Sequence, residues 1–141
     1  MNFAQLIVPS LTKTKSYLTG GFRTVTSMVE ALNVIDGIGM ARPLCQEPYL
    51  CAHILAGQVY STVALQLSQY DFLTTATASM LQMRQIGNNQ QPINLGLEDN
   101  TALFYQSVQE YMAEKAKDSN GDIFMPPVIQ GYNEPLGSLV A

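Results

Sequence analysis

The sequence predicts a mainly α fold: a small helical domain of three to five helices with extended apolar N- and C-terminal arms. Three observations carry that expectation. Apolar residues recur at intervals of three and four through the middle of the chain, alternation of the strand type is weak, and Pro and Gly interrupt both ends. The expected boundaries are 1–23 for an N-terminal arm with a short helix, 24–117 for a helical core, and 118–141 for an extended, Pro- and Gly-containing C-terminal arm.

Each element has its basis in local chemistry. Leu11, Lys15 and Leu18 allow two turns of helix between Ser10 and Thr19, closed by Gly20-Gly21. Ser27 and Glu30 have the spacing of a capping box. Val25, Met28, Val29, Leu32, Ile35 and Ile38 then recur at helical spacing, so a helix is expected over about Thr24 to Met40, with Gly37 and Gly39 ending it. Pro48 suits the first turn of the next helix. Ala52, Leu55, Ala56, Val59, Val63, Leu67 and Tyr70 make its apolar stripe. Gly57, Ser61, Ala64 and Ser68 make a second stripe of small residues, where another helix could approach closely. A run from Tyr49 to Ile86 would reach roughly 57 Å at about 1.5 Å per residue. A break near Asp71 is therefore expected, with Asp71 capping a new helix. Gly87 to Pro92 reads as a polar loop, and Asp99 or Asn100 begins a final helix with Phe104, Val108, Tyr111 and Met112 on its buried face. Phe3, Leu6 and Ile7 at one end, and Phe124, Val128 and Ile129 at the other, are the expected contact residues of the two arms. Only Ile93–Leu97 and part of the C-terminal arm offer weak strand signals.

Composition narrows the function classes. The chain has 141 residues, 7 Lys plus Arg against 11 Asp plus Glu, and only 13% charged residues. That is about half the usual share of roughly 25%. Nucleic-acid binding has no basic stripe to support it, since Arg23, Arg42 and Arg84 stand apart. No basic group precedes the first apolar run, so no signal peptide is read, and synthesis in the cytoplasm is expected, with incorporation into an extracellular or virion assembly left open. The charge-poor region Pro48–Met83 is studded with Gln, Ser and Thr, for which lipid has no hydrogen-bond partners. Membrane contact is therefore the less favoured reading.

The residues that could carry chemistry each meet an objection. Cys51 and His53 are two apart on an expected helix, so their side chains diverge by about 200°. Together with Cys45 they fall short of a zinc set or a Cys–His nucleophile pair. Asp36-Gly37-Ile38-Gly39-Met40-Ala41-Arg42 begins like a phosphate loop, but Arg42 replaces the third glycine, Pro43 obstructs the following helix, and the preceding residues read as helix. Asp118 to Asp122 opens like a calcium loop, but Ile123 and Ile129 stand where Gly and Glu are needed. Glu110 and Glu114 look like a solvated helix face, and the 7 tyrosines like core edges and subunit contacts.

The leading expectation is a non-enzymatic structural subunit: an assembly subunit forming a homo-oligomer or part of a larger complex (virion, secretion machine or filament), with no cofactor and no metal. Its partners would be copies of itself or other subunits. Two alternatives are a membrane-associated or pilin-like helical subunit, and a small ligand-binding protein or enzyme with a pocket between helices.

Overall fold

The structure is a computed structural model and describes residues 2–123, 129 and 131–137. Among them are six α-helices and one two-stranded parallel sheet, so the fold is mixed rather than purely helical. The chain divides into two compact units, one formed by Met1–Leu44 with Pro48–Thr62, the other by Cys45–Glu47 with Val63–Ala141.

The first unit is a strand–helix–strand arrangement with helical flanks. Helix α1 (Asn2–Ile7) runs into a 3-10 turn at Val8–Ser10. Strand β1 (Tyr17–Thr19) is joined through α2 (Val25–Ala31) to β2 (Gly37–Gly39), and the strands pair in parallel with Tyr17 opposite Gly37 and Thr19 opposite Gly39. Helix α3 (Arg42–Gln46) follows β2 directly, and α4 (Leu50–Leu55) comes next. Ala4, Phe22, Met28, Ala31 and Ile35 form the apolar core, with Leu18 and Ile38 of the two strands packed against it. The core therefore covers one face of the sheet.

Two expected helices are corrected here. Ser10–Thr19 does not form two helical turns, and the expected helix to Met40 stops at Ala31. Both corrections have one cause, a pairing between residues twenty apart. Ser16 O accepts from the N–H of Asp36 at 2.9 Å and of Gly37 at 3.2 Å. The Asp36 carboxylate takes Lys15 Nζ at 2.7 Å and Ser16 N–H at 2.9 Å. These bonds start both strands in register. The cap of α2 is Thr24, not Ser27, and the Thr24 hydroxyl accepts from Ser27 N–H at 3.2 Å.

The long helix after Pro48 is also shorter than its apolar stripe implies. Helix α4 ends in a Schellman motif: Gly57 N–H donates to Ile54 O at 3.0 Å and Gln58 N–H to His53 O at 2.9 Å. Gly57 sits at φ +70°, which a residue with a Cβ adopts only at a cost. The chain then runs as loop to Asp71, and Ser61 makes an antiparallel bridge with Thr24.

The second unit holds the two long helices, α5 (Phe72–Gly87) and α6 (Glu98–Lys115). Asp71 caps α5 as its sequence position suggests, accepting from Thr74 N–H at 3.1 Å. Leu67, Ala78, Leu81, Ile93, Leu95, Phe104 and Ile129 make the core. A polar clamp lies inside it. Gln82 Nε2 donates to Gln46 Oε1 at 2.7 Å and to Ile93 O at 3.0 Å, while Gln85 Oε1 accepts from Ile93 N–H at 2.9 Å. Among the described residues every buried side-chain nitrogen and oxygen has a partner. Phe104 is buried as expected from the sequence, but Met112 on the same helix is 58% exposed.

Candidate functional site

In parallel sheets, ligands bind beyond the carboxyl ends of the strands, where loops can offer unpaired backbone groups. The paired ends here are Thr19 and Gly39. Gly20 and Gly21 leave β1 at φ +102° and +80°, a turn open to glycine and strained for any other residue. A Cβ built on either would meet nothing within 4 Å, so the backbone there can be approached closely. The same turn borders a groove of about 580 Å³ that Gln5, Leu18, Phe22 and Glu30 help to line. Beyond β2, Met40 and Ala41 lead to Arg42 at the start of α3.

The glycines of β2 have a different task. Leu18 and Ile38 face the core, so Tyr17, Thr19, Gly37 and Gly39 occupy the other face of the sheet. A Cβ on Gly37 would lie 2.5 Å from the Tyr17 ring, and one on Gly39 would fall on the Thr19 hydroxyl. The two side chains of β1 thus lie across the bare backbone of β2. The glycine-rich stretch Asp36–Arg42 is therefore a strand and a following turn, which removes one of the objections to it. Pro43 is no obstacle either, since it sits in the first turn of α3, but Arg42 in the third glycine position still stands against a dinucleotide fingerprint of the ordinary kind.

The small-residue stripe is not a helix face. Gly57 is the stop signal of α4, Ser61 lies in a β-bridge, and Ala64 and Ser68 lie in the loop before α5. The N-terminal contact residues Phe3, Leu6 and Ile7 are exposed on α1, whereas Ile129 is buried in the core of the second unit. Phe124 and Val128 lie outside the described residues.

Among the described residues, no three His, Cys, Asp or Glu side chains are placed to hold a metal ion. The Asp118 carboxylate is committed to its own loop, accepting from Gly121 N–H at 3.0 Å and Ile123 N–H at 2.7 Å. Those bonds, Ile123 first, hold its pKa below the usual carboxylate value. Cys45 and Cys51 are not joined in a disulfide, and burial pushes the Cys45 thiol up, away from the reactive thiolate. His53 packs its ring 6.4 Å from that of Tyr49. Glu110 accepts from Gln106 Nε2 on an exposed face. Among the described residues no helix is long and apolar enough to cross a membrane.

No protein-family model matches the chain. The chain is 43% identical, over 136 residues, to an NADH-dependent flavin oxidoreductase of Aspergillus parasiticus. The match covers 96% of this chain and 31% of that protein, so the chain spans about a third of the length of its relative. This overturns the expectation of a non-enzymatic structural, filament or virion subunit. The charge deficit and exposed apolar surface that suggested assembly do not discriminate between a subunit of a complex and a stretch of a larger enzyme. The signal that could have pointed the other way is Thr19-Gly20-Gly21 followed, after one helix, by Gly37-Ile38-Gly39: two glycine-marked strand ends separated by a helix.

Proposed function

We propose that this chain works as part of an NADH-dependent flavin oxidoreductase, and that its strand–helix–strand unit contributes to the flavin site. The observation that carries the reading is the 43% identity to a protein of that name across nearly the whole chain. It replaces the assembly reading with the enzyme alternative that the sequence left open.

The geometry of the first unit supports the same reading. A flavin nucleotide carries a phosphate, and when bound it accepts a hydride from NADH and passes the electrons on. What this chain offers such a group is backbone. The Gly20–Gly21 turn follows the end of β1, has no side chain in the way, and stands beside the end of β2. Backbone N–H groups in a glycine turn bind phosphate oxygens without a desolvated charge on the protein. Arg42, three residues beyond β2, brings a cation to the same end of the sheet. The Tyr17 and Thr19 side chains lie over Gly37 and Gly39 and keep the strand ends aligned.

The face of the sheet away from the core is open. Parallel sheets carry cover on both faces and usually have more than two strands. Here Tyr17 is 71% exposed on the face away from the core.

The test is a chimaera in which this chain replaces the matching segment of the Aspergillus relative. The expected product retains flavin through purification and oxidises NADH. A chimaera that folds and holds its secondary structure, yet neither binds flavin nor oxidises NADH, refutes the reading.

A further inference from the structure

Beyond the C-terminal end of α6, the Asp118 carboxylate gathers the backbone of the residues that follow it. Its Oδ1 accepts from Asn120 N–H at 3.2 Å and from Gly121 N–H at 3.0 Å, and its Oδ2 accepts from Ile123 N–H at 2.7 Å. Asn120 and Gly121 are both exposed. Gly121 sits at φ +74°, with nothing within 4 Å of the place a Cβ would take. Of the 8 asparagines in the chain, Asn120 alone is followed by glycine.

An asparagine followed by glycine has a nucleophile built into the chain. The backbone nitrogen of the next residue can reach the side-chain Cγ and close a small ring, and glycine has no Cβ to obstruct the approach. We propose that Asn120 is a site of spontaneous conversion to aspartate and isoaspartate, and that Asp118 restrains the conversion. Gly121 N forms a bond to Asn120 Cγ, the Cγ–Nδ2 bond breaks, and the Gly121 proton leaves with the amide nitrogen as ammonia. Water then opens the cyclic imide at one carbonyl or the other, which leaves aspartate or isoaspartate at position 120. No oxidant or reductant takes part.

Asp118 opposes the first step in two ways. Its Oδ1 holds the proton that Gly121 must give up, and its negative charge resists the charge that builds on the nitrogen as that proton leaves. The imide nitrogen carries no hydrogen, so closing the ring also costs the turn this bond. The chain's other candidate pair, Asp36-Gly37, is closed to the same chemistry. Gly37 N–H donates to Ser16 O at 3.2 Å within a paired strand, and Lys15 and Ser16 N–H engage the Asp36 carboxylate. The proposal is independent of the flavin reading.

The test ages the purified chain at neutral pH. Peptide mapping by mass spectrometry locates each asparagine that has become an acid, and enzymatic methylation counts isoaspartate. Conversion is expected first at Asn120, and not in Asn120→Gln, whose longer side chain would have to close a larger ring. Asp118→Asn keeps an oxygen acceptor without the charge, and Asp118→Ala removes both. Rates should rise in that order, to about fivefold in Asp118→Ala, the effect of freeing one hydrogen bond of ordinary strength. Circular dichroism checks that both variants fold. The wild-type chain gives a second measure that needs no variant. Unfolded in urea, it should convert faster than the folded chain, and Asp118→Ala should then add little. Another asparagine converting ahead of Asn120, an unchanged or slower rate in Asp118→Ala, or a folded chain that converts as fast as the unfolded one would each overturn the proposal.

Discussion

Gln82 ties α5 to Gln46 and Ile93 through one nitrogen. It is 3% exposed, and Nε2 donates both to Gln46 Oε1 and to Ile93 O. The segment it grips, Ile93 to Leu95, has no helix or strand partner of its own length, yet Ile93 is 0% and Leu95 1% exposed. Gln82→Met keeps the length of the side chain and its helix propensity while removing both donors. Gln46 Oε1 then keeps only the longer bond from Leu95 N–H at 3.4 Å, and Ile93 O loses this donor inside the core. Two lost bonds, with buried acceptors left behind, cost about 2–4 kcal/mol. Gln106→Met is the matched control, because Gln106 bonds Glu110 on an exposed helix face and should change stability by less than about 0.5 kcal/mol. Urea unfolding followed by far-ultraviolet circular dichroism compares the two. Equal losses in both variants, or a loss below about 0.5 kcal/mol for Gln82→Met, would refute the reasoning that the clamp positions Ile93–Leu95.

Three further outcomes are expected. Thr24→Ala removes the hydroxyl that caps α2 and should cost about 1 kcal/mol in the same unfolding assay. Gly57→Ala forces a Cβ into the left-handed region at the end of α4 and should cost about 1–2 kcal/mol, read as faster amide exchange in α4. Lys15 and two bonds from Ser16 hold the Asp36 carboxyl below its ordinary value of 3.8. Its stabilising contribution is therefore complete above that value and fades as pH falls through the lowered one. Carbon-detected titration of Asp36 should give a midpoint below 3.8, moving toward the ordinary value in Lys15→Ala.

The helical parts of the fold were legible because their signals are local. Asp71 and Phe104 do in the structure what their positions suggest: one caps α5 and the other is buried beneath α6. The sheet was not legible. Gly37-Ile38-Gly39 lacks the alternating or β-branched pattern of a strand, because its glycines answer to Tyr17 and Thr19 twenty residues earlier. Periodicity cannot register a contact made across that distance. Apolar positions from Val25 to Ile38 do keep helical spacing, but Ile35 and Ile38 reach the core beyond the end of α2. The small-residue stripe misled for a related reason. A glycine required by a Schellman turn and a glycine required by close helix packing look the same in one sequence. The proposed flavin role was the least legible, since it rests on the backbone of Gly20 and Gly21, with no reactive side chain to mark it.

Flavin binding by that glycine turn is tested most directly by Gly21→Val in the chimaera with the Aspergillus relative. The measurement is the ratio of bound flavin to protein after purification, read from the visible absorbance of the cofactor. A valine at φ +80° both strains the turn and covers its backbone. The predicted result is a folded protein that has lost most of its flavin. A Gly21→Val protein as fully loaded as its parent would contradict a role for the turn.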